Sequence, residues 1–296
     1  MEQEKRRHAA QNHPTRHPRR SRRRRRRRLW LVLAGLFFLV FCYSGVRLGL
    51  DLYSNYRDKK GFEALSALVV KSGESAPSPT EPPAAPVSEA EPLPGPGEAR
   101  PPKPTTPLPQ YARLHELNDE FFGWLTVEGL EIDYPVMYSP TRTDYYLNRD
   151  FYGTPTISGT PYIDGRCPAD GNYYLIYGHL MQNKTVFGRL PEYAEEACWR
   201  ENPVIGFDTV FEERQYAVMS CFYSRLYEDY EQGFRYYQYF DLTDEATFNE
   251  YVSQVMAAAL YDTGVRAEYG DELLVLTSCS HHTGDGRFVV VAKRVK

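Results

Sequence analysis

Cysteine is scarce in this chain, five in 296 residues, and no two of them form a Cys-x-x-Cys pair. No cysteine–histidine spacing fits a zinc site either, so a metal-built fold has no support. No internal repeat is evident, which removes the repeat architectures. Charge is missing altogether from Leu29 to Val46, and aromatic residues are missing from Ser72 to Pro109. The first gap marks a segment that tolerates no water-seeking group. The second marks a segment that cannot build a core.

What is present is divided unevenly. Residues 1–60 hold 17 Lys/Arg and 4 Asp/Glu out of totals of 35 and 39, so a basic arm precedes an acidic body. Residues 1–28 form that arm, with Arg22 to Arg28 uninterrupted. Such a run repels itself and is expected to be disordered; alone it would suggest nucleic acid. The uncharged residues that follow point to a membrane instead. At about 1.5 Å per residue, Leu29–Val46 spans roughly 27 Å, close to a bilayer's hydrocarbon core. Trp30 and Tyr43 stand near its ends, where amphipathic rings favour the interface. A transmembrane helix is expected over 29–50. The flanking arginines predict a cytoplasmic N-terminus and an extracellular body. A cleaved signal peptide is the competing reading, but Ser44–Leu50 contains no A-x-A-like site, and a retained single-pass anchor is expected.

Residues 51–71 have the pattern of a juxtamembrane helical stalk. Residues 72–109 contain 13 of the 22 prolines and predict a disordered, polyproline-like linker. The folded domain is expected over 110–296. It should open with a helix from Tyr111 to Phe122, on Leu114, Leu117, Phe121 and Phe122. Short β-branched and aromatic runs then predict eight strands: Trp124–Val127, Ile132–Met137, Thr160–Ile163, Tyr173–Tyr177, Val204–Asp208, Arg214–Tyr223, Glu272–Ser278 and Phe288–Lys293. Many short strands in one domain indicate a sandwich or barrel. One helix interrupts them, Thr243–Leu260, with Thr243 as its expected cap and Phe248, Val252, Val255, Met256 and Ala259 as its buried face. The tyrosines clustered at 227, 230, 236, 237 and 239 read most simply as packing. Cys167, Cys198 and Cys221 read as buried or unpaired thiols; sequence leaves any disulfide pairing open.

Three residues invite a chemical reading. Cys279 ends the apolar run Leu273–Ser278, Arg287 follows before another apolar run, and His179 follows Tyr173–Gly178. Singly, each is more often structural: a small buried hydrophobe, a solvated strand flank, a turn residue. Together they supply a nucleophile, a proton carrier and a fixed positive charge, the needs of cysteine-based acyl transfer. His179 precedes Cys279, the reverse of the papain-like order.

The ordered set Gly123-Trp124-Leu125, Ile132-Asp133-Tyr134-Pro135-Val136, Tyr145-Tyr146-Leu147, Tyr173–His179, Leu276–Cys279 and Gly286–Val290 resembles the sortases, specifically class B. The resemblance runs from about Leu114 to the C-terminus. It implies a mostly β fold, a closed sortase-type barrel of about eight strands with peripheral helices. It implies that His179, Cys279 and Arg287 are the catalytic trio. Thr277, Ser278 and His281 are expected to support substrate binding; His281 and His282 lie in the polar connection between Cys279 and Arg287, which suits rim or substrate contact. The family's Thr-Leu-x-Thr-Cys appears here as Val275-Leu276-Thr277-Ser278-Cys279, with valine for the first threonine.

The function implied is a membrane-anchored cysteine transpeptidase without metal or cofactor. It would cleave a C-terminal sorting signal on secreted proteins, of the Asn-Pro-x-Thr type in class B relatives, and pass the acyl group to a peptidoglycan amine. Its partners would be those substrates, the amine and membrane lipid, with no nucleic acid. Two alternatives stand beside it: an extracellular cysteine peptidase that hydrolyses the acyl-enzyme, and a pilin-polymerising sortase. The chain ends at Lys296 without a second apolar segment, which favours wall anchoring over the pilin reading.

Overall fold

A computed structural model describes residues 19–69, 105–280, 283 and 285–296. Two compact units divide the chain, Met1–Tyr53 and Ser54–Lys296. The first consists, among described residues, of most of helix α1 (Arg19–Leu68). From Leu29 this helix is long and apolar enough to cross a membrane, and Trp30, Phe37, Phe38 and Phe41 on it are exposed. It begins inside the basic arm, so Arg19–Arg28 is helical where disorder was expected. Arginine is a good helix former, and an apolar helix already nucleated downstream extends into it at little cost. Most of the proline-rich linker, 70–104, lies outside the described residues.

The second unit is a closed barrel. Its strands are β1 (Phe121–Val127), β2 (Ile132–Tyr138), β3 (Tyr162–Ile163), β4 (Tyr173–Tyr177), β5 (Val204–Thr209), β6 (Gln215–Arg225), β7 (Leu273–Ser280) and β8 (Gly286–Arg294). Around the barrel they run β1-β2-β3-β4-β7-β8-β6-β5, and β5 pairs back to β1. Two pairings are parallel, β2 with β3 and β4 with β7; the others are antiparallel. The expected eight-stranded barrel is therefore what forms. Closure leaves no long open edge. Rings from strands that are not neighbours meet inside it: Phe122 on β1 lies 5.6 Å from Tyr174 on β4, which lies 6.0 Å from Phe207 on β5.

The helices depart from expectation in detail. Helix α2 covers Pro109–Leu117 and stops, so Phe121 and Phe122 belong to a strand. Asn118 causes the break. It is extended, its amide donates to the Phe151 carbonyl at 2.6 Å, and its Oδ1 accepts from the Glu120 amide. A short helix α3 (Glu196–Glu201) escaped the sequence pattern. Helix α4 (Glu245–Ala258) is capped by Asp244 rather than Thr243, because the Asp244 carboxylate accepts from the Thr247 amide. Phe248, Tyr251 and Val255 are its buried face, each contributing on the order of 1.5–3 kcal/mol. Tyr251 packs edge-on against Tyr173, which places α4 over the outer side of β4.

The unit also begins earlier than residue 110. Its last turns of α1 bury Phe62 and Leu65, and Phe62 meets Tyr134 of β2 edge-on at 4.8 Å. A juxtamembrane helical stalk was expected there; the segment is helical to Leu68, and its last turns pack on the barrel. All five cysteines are free; Cys167 and Cys221 are buried.

Candidate active site

Backbone register brings the three chemically suggestive residues to one end of three adjacent strands. In the parallel pair, Tyr177 of β4 stands beside Thr277 of β7. The Gly178 amide extends that ladder by donating to the Thr277 carbonyl at 3.1 Å. His179 is thus two positions past Tyr177, as Cys279 is two past Thr277. In the antiparallel pair, Cys279 stands directly opposite Arg287 of β8. Directly opposed residues project to the same face, with Cβ atoms about 4.5–5.5 Å apart. A hundred residues of separation between His179 and Cys279 are thereby cancelled by one parallel pairing.

Local sequence fixes the histidine. Gly178 leaves room for the Phe187 ring, which a Cβ at that position would strike. The His179 carbonyl accepts from the amides of Met181 and Phe187, both at 3.1 Å, so the backbone is held twice. Its Nε2 lies 2.7 Å from the Leu147 carbonyl oxygen. A carbonyl only accepts, so Nε2 carries the hydrogen and the lone pair of the neutral ring is on Nδ1. Leu147 lies in the 3-10 turn Tyr145–Asn148, part of the Tyr-Tyr-Leu segment noted in the sequence.

Cys279 is exposed, while the strand behind it is not. Thr277 and Ser278 are 1% and 2% exposed. Both side chains were expected to support substrate binding, and both have partners inside the protein. The Thr277 hydroxyl bonds Tyr236 at 2.7 Å, and the Ser278 hydroxyl donates to the Cys279 carbonyl at 3.3 Å. The Thr277 hydroxyl thus ties β7 to the 3-10 turn Tyr236–Gln238, while the Ser278 bond stays within the strand. Tyr236, read from sequence as packing, packs and also bonds. Burial pushes its hydroxyl well above the ordinary phenol range, with Thr277 and the Arg287 guanidinium pulling against that and Cys279 adding to it. Tyr236 therefore lies within electrostatic reach of both Arg287 and Cys279. Sequence offered no signal that singled it out among five clustered tyrosines.

Arg287 is half-buried, and its Nη1 donates to the carbonyls of Gly286 at 2.9 Å and Asp285 at 3.4 Å. Among the described residues no carboxylate pairs with it, so its remaining donors stay available to an anion. His281 and His282 lie outside the described residues.

An ion pair supports the strand end that leads to His179. Asp164, just past β3, takes a two-point contact from Arg166 at 2.9 and 2.7 Å and accepts from the Tyr177 hydroxyl at 3.2 Å. Burial raises the Asp164 carboxyl, but Arg166 and Tyr177 outweigh it and hold the group below the usual carboxylate range.

No protein-family model matches the chain. Curated proteins do. Sortase B of Staphylococcus aureus is 24% identical over 192 residues, 64% of this chain and 75% of that protein. Sortase B of Listeria monocytogenes is 24% identical over 271 residues, 90% and 95% of the two chains. Among solved structures, Bacillus anthracis sortase B in complex with AAEK1 superposes with a TM-score of 0.62 at 23% identity, over 83% of this chain and 99% of that one. The Staphylococcus aureus sortase B–substrate complex gives 0.56 at 23%, over 65% and 87%. In sequence along most of its length, and in its barrel, this chain is similar to the class B sortases, which are cysteine transpeptidases.

Proposed function

We propose that this sortase is anchored by α1, with its N-terminus in the cytoplasm, and acts outside the membrane on the sorting signals of secreted proteins. Cys279, His179 and Arg287 carry the reaction. The observation that supports this most is the pairing of Cys279 with Arg287 across β7 and β8, with His179 two residues past the end of β4, the strand on the other side of β7.

The Cys279 thiolate attacks the scissile carbonyl carbon, and the carbonyl electrons move onto oxygen. Arg287 stabilises that oxyanion through the fork of donors on its guanidinium. Collapse breaks the carbon–nitrogen bond as protonated His179 gives its Nδ1 proton to the departing amine. A thioester remains on Cys279. An incoming amine attacks it, His179 takes that amine's proton, and the thiolate leaves with a new amide formed. One solved sortase B is a complex with triglycine, an amine-terminated peptide, and another is a substrate complex. By analogy, a peptidoglycan amine is the acceptor and an Asn-Pro-x-Thr-type signal the donor.

The test is product analysis by mass spectrometry, using a peptide of that type with and without triglycine. The expected result is a triglycine adduct in its presence, absent with Cys279→Ala. Cleavage to the free acid alone, at the same rate with or without triglycine, would identify a peptidase instead.

A further inference from the structure

We propose that Asp58, on the last turns of α1, is a positioning residue for His179; this rests on the catalytic role proposed for that histidine. Its side chain is only 6% exposed although it belongs to a segment that reads as a polar stalk. Asp58 Oδ2 accepts from the Ser158 hydroxyl at 2.8 Å and from the Thr156 hydroxyl. Next to it, Arg57 donates to the Pro155 carbonyl at 3.2 Å. Three bonds therefore tie α1 to one loop nearly a hundred residues away in sequence.

That loop grips the turn that bonds His179. The Thr156 amide donates to the Asn148 carbonyl at 3.0 Å, and the Thr160 amide to the Tyr146 carbonyl at 3.0 Å. The Thr160 hydroxyl donates to the Arg149 carbonyl at 3.0 Å. Carbonyls 146, 148 and 149 are thus taken by the loop, and the one between them, Leu147, meets His179 Nε2. Gly159, at a φ of +60°, sits where any Cβ would strike the Leu147 oxygen. The loop therefore sets both the direction of that carbonyl and the space behind it. The turn's other side is held independently, by the Tyr146 hydroxyl on Glu120 at 2.7 Å and by Asn118 at 3.1 Å. Loss of Asp58 loosens one of two supports, which leaves the fold and reduces the precision of the imidazole.

A second contact of α1 provides the control. The Ser66 hydroxyl donates to Asp133 at 3.0 Å, on β2 and away from the loop. If α1 matters only by docking, Ser66→Ala and Asp58→Asn should act alike. If Asp58 positions His179, they should differ.

The experiment uses the full chain in detergent micelles, with wild type, Asp58→Asn, Ser158→Ala and Ser66→Ala. Transpeptidation kinetics give kcat and KM, and nitrogen NMR of labelled histidine gives the His179 tautomer. Asp58→Asn is expected to lower kcat about tenfold with KM within about twofold, a loss typical of a modestly misplaced catalytic group. The Nε2-protonated tautomer should fall in parallel. Ser158→Ala should show the same effects at smaller size, and serves alone if Asp58→Asn does not fold. Ser66→Ala should show neither. Wild-type kcat and tautomer in the Asp58 and Ser158 variants, or equal losses in Ser66→Ala, would overturn the proposal. A tautomer that shifts as expected in Asp58→Asn, beside a wild type that transfers no acyl group, would instead overturn the proposed function and, with it, any catalytic meaning of the positioning.

Discussion

At the scale of single residues, the cysteines are set apart by exposure. Burial pushes the Cys167 thiol up to about 12 and the Cys221 thiol up to about 11, and raises Cys198 as well. A thiol in that range carries almost no thiolate at neutral pH, and only the thiolate reacts. Cys279 is exposed and outside the apolar helix. Brief iodoacetamide treatment of the native protein at pH 7.5 should therefore modify Cys279 well before Cys167, Cys198 or Cys221, as read by peptide mapping. Equal labelling of Cys221 and Cys279 would contradict the assigned burial. Cys279, His179 and Arg287 could be put forward from sequence because two short motifs carry them. Asp58 and Tyr236 could not, since each acts through a hydrogen bond to a residue far away in sequence, and no local pattern encodes that.

At the scale of elements, strand alternation was easy to read and strand partnership was not. All eight strands follow from β-branched and aromatic runs, and β4 matches its expected limits of Tyr173–Tyr177. The parallel pairing of β4 with β7 has no counterpart in either segment alone, although it is what sets the strand that leads to His179 alongside the strand that carries Cys279. Helix ends failed where a side chain had a tertiary alternative: Asn118 prefers the Phe151 carbonyl to another helical turn. The end of β4 depends in turn on the Asp164 clamp. That carboxyl is held below its ordinary value, so its stabilisation is complete above the unfolded pKa of about 3.9 and disappears as pH falls through the depressed folded value. Asp164→Asn should lower Tm near neutral pH, and its deficit relative to wild type should shrink below about pH 4. Thermal melts across that window check this; a deficit that grows on acidification would refute the clamp.

At the scale of the whole molecule, a buried charge cluster and the proposed catalytic residues lie toward opposite ends of β7. Cys279 lies near the end of β7, whereas Glu272 immediately precedes its start. Glu272 is 2% exposed, accepts from Arg214 at 3.0 Å and Tyr216 at 2.5 Å, and pairs with Arg294 at 3.4 Å. It thereby joins β6, β7 and β8. Removing one partner of such a buried set leaves uncompensated charge and costs about 3–5 kcal/mol. Glu272→Ala should lower the free energy of urea unfolding by that amount while leaving kcat/KM near wild type below its melting point. A large loss of activity in a protein of unchanged stability would mean the two ends are not separate.

The most direct test of the central claim is to trap the covalent intermediate and locate it. Wild-type protein, mixed with a sorting-signal peptide without any added amine and quenched in acid within seconds, should gain the mass of the N-terminal acyl fragment. Peptide mapping should place that mass on Cys279, and His179→Ala and Arg287→Ala should each reduce its rate of appearance by at least about a hundredfold. An adduct on another residue, or one that forms at the wild-type rate without His179 and Arg287, would contradict the account.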